Sequence, residues 1–203
     1  MSKAPREPHS ATASLVLVRN GWRIILHPLF RDQLLRLQRG VEASRQADPH
    51  NWESKPQAKL LKRVTDLVLT EIPRDPAAPE FEQGATLGRD AQGWRRAKFL
   101  SRFRMFFRFH SASKVIAIAW VNDENTLRKA GASSDPYTVF RAMLVRGNPP
   151  SGWDALVKAC RMPPNDPARE LAEASFGPMG AVDDLGMTEP AAAPVKSKRK
   201  KRR

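Results

Sequence analysis

The chain has 203 residues, with 35 Lys/Arg against 21 Asp/Glu and a formal net charge of +14, a size that suits one domain with tails. Its basic surplus points to a polyanionic partner, RNA or DNA, or to an acidic protein. Cys160 is the only cysteine, which excludes a disulfide framework and fits a reducing cytoplasm; the longest apolar run, Val115–Val121, is far shorter than the roughly 20 residues of a membrane helix, and Leu15–Val18 is too short for a signal-peptide core.

Residues 1–19 mix Pro, Ser, Ala and charge, and are expected to form a disordered arm. Order is expected from Asn20-Gly21-Trp22, where Trp22, Ile24 and Leu26 share one side of a first strand. Pro28 opens a helix whose Phe30, Leu34, Leu37 and Val41 recur at helical spacing. After Asp48-Pro49, Ser54 is a candidate N-cap for a second helix with Pro56 in its first turn. Leu60, Leu61, Val64, Leu67 and Val68 form its buried stripe. The pair reads as a helical hairpin, followed by a loop from Pro73 to Gly93.

Three strands are predicted next, over 94–99, 102–110 and 115–121, with a tight turn at Ser111-Ala112. Asn122 is a candidate cap for a short helix with Asp123 and Glu124 in its first turn, and Gly131 a candidate stop. Asp135-Pro136 is an N-cap followed by Pro at N1. Tyr137, Phe140 and Leu144 line one face of the helix it starts, Gly147 ends it, and Trp153, Leu156 and Val157 indicate one more. From Arg161 onward, Pro, Gly and scattered acids read as a flexible tail, ending in Lys196–Arg203, where seven of eight residues are Lys or Arg. Without that run a surplus of seven remains, so the body is basic by itself. The tail reads either as a non-specific nucleic-acid attractor or as a solvated end. The domain expected is therefore 20–160, between tails 1–19 and 161–203.

Side chains alternate across a strand. Over 102–110, Phe103, Met105, Phe107 and Phe109 make one apolar row, expected to pack on the hairpin. Arg102, Arg104, Phe106, Arg108 and His110 face the other way, and Arg96 and Lys98 share a face of the preceding strand. Five permanent cations around one aromatic repel each other. An RNA backbone would relieve this, since guanidinium forks bind phosphate and an aromatic stacks a base. The plain alternatives are a solvated face or the docking surface of an acidic partner.

These residues resemble the YhaV toxin family of the RelE-like superfamily. The resemblance lies in Asn20-Gly21-Trp22, His27-Pro28-Leu29-Phe30, the run Arg102–Phe109, Trp120–Arg128, Tyr137-Thr138-Val139-Phe140, and Arg146-Gly147-Asn148-Pro149-Pro150 followed by Trp153. It spans about Asn20 to Cys160. Phe103 and Phe109 depart from the Tyr expected there in relatives, and Tyr137 is the only tyrosine. The resemblance implies an α+β, RelE/ParE-like fold: an N-terminal helical hairpin on a small twisted antiparallel sheet, with C-terminal helices. It implies a cytoplasmic toxin that cleaves mRNA on or near the ribosome, without metal or other cofactor. Its partner would be a PrlF-type, AbrB-like antitoxin, and the complex would bind operator DNA and repress its own operon.

Cleavage of that kind needs an activated 2′-OH, offset phosphate charge and a protonated 5′-oxygen. Arg96, Lys98, Arg104 and Arg108 are the candidate phosphate clamp. Arg102, nearer a turn, would track the backbone, Phe106 would stack a base, and Arg128 would contact RNA or fix the turn. His110 suits acid–base work, because an imidazole titrates near neutrality; it can equally end a strand beside a turn. Tyr137 is a candidate proton donor or a core tyrosine. Asp123 and Glu124, adjacent on a helix, do not converge on a metal, and the four histidines lack zinc spacing. The same fold without nuclease chemistry, as a DNA gyrase inhibitor, is the rival reading.

Overall fold

The computed structural model describes residues 14–83, 87–88, 91–162, 166 and 168–182. Strands β1 (Ser14–Arg19) and β2 (Trp22–Leu26) form a hairpin, and helices α1 (Pro28–Ala47) and α2 (Pro56–Asp66) follow. One π-turn, Leu67–Glu71, carries α2 on into α3 (Ile72–Arg74). Then come β3 (Arg95–Phe99), β4 (Phe103–His110), β5 (Val115–Val121), α4 (Pro136–Val145), α5 (Trp153–Ala159), α6 (Ala168–Phe176) and β6 (Gly180–Val182). The sheet has six strands in the order β3-β4-β5-β2-β1-β6.

The architecture is α+β, as expected, but the sheet is mixed. β2 lies parallel to β5, with Ile24 opposite Ile116, because the chain crosses over one face through α1 and α2 before it returns. Both tails also differ from expectation. β1 begins inside the segment expected as an arm and pairs with β2, since Leu15, Val16 and Leu17 are buried. Beyond Arg161, α6 and β6 are ordered: β6 pairs with β1, and Phe176 stacks on Phe30 of α1 with ring centroids 6.3 Å apart. The basic run lies outside the described residues.

Helix starts follow local chemistry. His27 caps α1, its Nδ1 accepting from Leu29 N at 3.2 Å, and Pro28 sits in the first turn where no N–H is needed. Burial, reinforced by the nearby Arg31 charge, lowers the His27 pKa to about 4. α2 begins one residue later than expected, with Lys55 at the cap, because Trp52–Ser54 form their own 3-10 turn. Asp123, not Asn122, caps the 3-10 turn Glu124–Thr126 through Asn125 N. Gly131 has φ +79 but ends no helix. Asp135 caps α4 as expected, accepting from Tyr137 N at 3.1 Å.

Two cores flank the sheet. On one face Phe30, Leu34, Val64 and Val68 meet Ile24, Met105, Phe107, Ile116 and Ile118. This is the packing predicted for the hairpin. On the other face Phe140 of α4, Trp153 and Leu156 of α5, and Cys160 just after it meet Ile25, Phe106, Ala117 and Trp120. β5 is therefore buried along its whole length, as a strand covered on both sides must be. A bulge between β4 and β5 sets Phe106 opposite Trp120 and Phe107 opposite Ile118. It turns both Ala119 and Trp120 toward the second core.

Candidate functional site

The guanidinium face of β3 and β4 does lie opposite the helical hairpin, but it is not open. Helices α4 and α5 cover it, so Arg96, Arg104 and Arg108 are only 8%, 7% and 9% exposed. Phe106 is fully buried, stacked on Phe140 at 4.1 Å and on Trp120 at 5.8 Å. It cannot stack a base, and the proposed base platform is corrected to a core aromatic.

Arg96 and Arg104 converge on one atom. The Tyr137 hydroxyl accepts from Arg96 Nε at 2.5 Å and from Arg104 Nε at 3.3 Å. Arg96 also reaches Glu80 O at 3.3 Å. Arg104 reaches Ser101 O at 3.0 Å and Phe103 O at 2.7 Å. Neither has a carboxylate partner among the described residues. Buried charge without an opposite charge is costly, and here two cations share neutral acceptors. The Tyr137 oxygen, having accepted two hydrogen bonds, retains its own proton for a third group. The ring is fixed edge-on to Phe106 at 5.7 Å, and the Arg128 guanidinium lies over it at 5.3 Å. Asp135 holds Arg128 in an ion pair.

Tyr137 and Arg128 open onto a hollow of about 220 Å³, also lined by Gly131, Asp135, Thr138 and Arg141. Asn122, 1% exposed, fixes the strand behind it. It accepts from Arg104 N at 2.5 Å and donates to Thr126 O at 2.8 Å. Lys98 pairs with Arg104 in the β3–β4 register and is exposed, as is Arg102, whose Nε donates to Arg128 O at 3.2 Å.

Two expected members belong elsewhere. Arg108 is wedged between Trp94 and Trp153, 5.9 Å and 5.8 Å from their ring centroids, and donates to Ser151 O. Gly93, at φ +84, leaves it room: a Cβ there would stand 3.1 Å from Arg108 Nη2. His110 holds the β4–β5 turn, its Nδ1 2.6 Å from Ser113 Oγ, with its ring against Trp153 at 5.6 Å. Six residue steps along the strand, about 20 Å, separate it from Arg104. Burial raises the Cys160 thiol well above its ordinary range. No group of three or more metal-ligating side chains occurs among the described residues, and no helix there is long and apolar enough to cross a membrane.

The family model for YhaV toxins, described as toxins with endonuclease activity of toxin–antitoxin systems, matches residues 24–161. The chain belongs to the YhaV toxin family. Among its relatives, Toxin YhaV of Escherichia coli O6:H1 (strain CFT073) is 42% identical over 141 residues, covering 68% of this chain and 92% of that protein. Ribonuclease toxin YhaV of Escherichia coli (strain K12) is 41% identical over the same shares. No solved structure shows a significant match to the chain. The family match contains β3, β4 and α4, and so every residue of the Arg96–Arg104–Tyr137 cluster. Sequence reasoning missed the two tryptophans over Arg108. Tyr137 carried the available signal, as the sole tyrosine of a basic chain.

Proposed function

We propose that this YhaV-family toxin is a metal-independent endoribonuclease that cleaves mRNA by attack of a ribose 2′-OH on the adjacent phosphate. The observation that carries the proposal is the pair of buried guanidiniums, Arg96 and Arg104, gathered on the Tyr137 hydroxyl with no carboxylate to neutralise them among the described residues. A phosphate in the hollow before Tyr137 supplies the missing negative charge. As the P–O5′ bond breaks, the Tyr137 hydroxyl protonates the leaving oxygen and is reprotonated from water, while the 2′-OH proton passes to solvent. Arg96 and Arg104 hold the hydroxyl and offset the charge that grows on the phosphate. Lys98, Arg102 and Arg128 guide the backbone from the rim. The cationic character of the site supports a mechanism without metal, because fixed guanidiniums do there what a cation would do.

Membership supports a wider reading. The toxin acts in the cytoplasm, on or near the ribosome, and is silenced by a PrlF-type antitoxin with which it represses its own operon. The passage β2-α1-α2-β3-β4-β5, a helical pair between a first strand and a three-stranded meander, supports the RelE-like description. The test is induced expression with mapping of new 5′ ends in translating extracts. Wild type is expected to arrest growth and produce them; Arg96→Ala is expected to fold, bind antitoxin and do neither. Growth arrest without new 5′ ends would favour the gyrase inhibitor and overturn the proposal.

A further inference from the structure

Arg141 stands between two recesses. One is the hollow onto which Tyr137 opens. The other, of about 210 Å³, is lined by Leu87, Ala91, Leu144, Val145 and Ser151, with Arg141 at its edge. Arg141 is exposed and makes no hydrogen bond or ion pair among the described residues. Its guanidinium rests beside Gly88, where a Cβ would stand 3.9 Å from Arg141 Cζ. Val145 is 79% exposed, more than any other large apolar side chain among the described residues. On α4, Arg141, Leu144 and Val145 are spaced i, i+3, i+4 and so share a face. An exposed cation beside an apolar wall, next to a hollow that would take a phosphate, has the composition of a nucleotide-binding surface.

We infer that Arg141 and the Leu87–Leu144–Val145 recess form a nucleotide subsite beside the reacting bond. The guanidinium binds the phosphate adjacent to the one facing Tyr137, and the recess covers the apolar face of the attached base. The inference rests on the RNA-cleaving reading above. Apolar burial scales with area, and the recess is mostly aliphatic. The subsite therefore selects by size, and a purine binds it better than a pyrimidine.

Arg141→Ala and Val145→Asp both change exposed side chains, so the fold is expected to survive, which circular dichroism checks. The substrates are single-stranded RNA oligonucleotides with a purine or a pyrimidine beside the cleaved bond. Binding is measured separately on a 2′-O-methyl version that lacks the attacking hydroxyl. Arg141→Ala is expected to raise KM about tenfold with kcat within about twofold. It should also reduce the magnitude of the log–log salt slope of binding by about 0.7, one phosphate contact. Val145→Asp is expected to remove the purine preference. If the parent cuts RNA but Arg141→Ala matches it in KM and salt slope, the subsite is wrong and the cleavage reading stands. If the parent cuts no RNA, as free oligonucleotide or in translating extracts, the cleavage reading fails and the subsite with it.

Discussion

Replacing Tyr137 by Phe removes one oxygen and leaves the ring on Phe106. The hydroxyl accepts from Arg96 at 2.5 Å and from Arg104 at 3.3 Å, and hydrogen bonds from charged donors are worth roughly 1.5–3 kcal/mol each. The longer bond is the weaker one, and both guanidiniums keep carbonyl partners. The net cost should therefore be about 2–3 kcal/mol, or roughly 4–12 °C in Tm for a domain of this size. The chemical effect is separate. Loss of the group proposed to protonate the leaving oxygen, together with release of the guanidiniums it aligns, should slow cleavage about 10²–10³-fold. The assay is single-turnover cleavage of a saturating RNA oligonucleotide at 20 °C, with thermal unfolding on the same preparation. A variant with lowered Tm that cuts at the parental rate would make Tyr137 a structural tyrosine and refute the assignment.

Other residues give sharper tests of the surroundings. His27 is held near pKa 4 by burial, so between pH 6.5 and 4 the unfolded chain binds a proton there that the folded chain refuses. Stability should accordingly fall with pH across that window, by about 3 kcal/mol at most; urea unfolding at pH 7.5, 5.5 and 4.5 measures it, and His27→Asn, which keeps a capping side chain, should flatten the trend. Asn122→Ala strands the Arg104 N–H and the Thr126 carbonyl, and should cost about 3 kcal/mol, or roughly 6–12 °C in Tm, read by calorimetry. His110→Asn should leave the cleavage rate within about threefold of the parent, since the ring lies about 20 Å along β4 from Arg104; a loss of the size expected for Tyr137→Phe would restore His110 to the chemistry.

Much of the fold was legible because periodicity and caps are local. The α1 stripe Phe30–Leu34–Val41, the Asp135-Pro136 start and the alternation of β4 all correspond to observed elements. Alternation also separates Phe107 from Arg104 correctly. What it does not report is whether the second face is covered. The unbroken apolar run of β5 carried that information, since a strand open to water on one side alternates. Read that way, it puts a second layer over the arginines and Phe106 in a core. The bulge beside Phe106, the parallel pairing of β2 with β5 and the docking of α6 depend on long-range contacts. No short window of sequence contains them. Tyr137 was visible as a candidate, but its meeting with Arg96 and Arg104 joins residues 41 and 33 positions away.

The most direct test is the chemistry of the cut ends. Purified protein is incubated with RNA in excess EDTA, and both termini are identified by enzymatic end-labelling and mass spectrometry. Attack by the 2′-OH leaves a 2′,3′-cyclic phosphate and a 5′-hydroxyl, undiminished by the chelator and missing with Arg96→Ala. Products ending in 3′-hydroxyl and 5′-phosphate, or cleavage that the chelator stops, would contradict it.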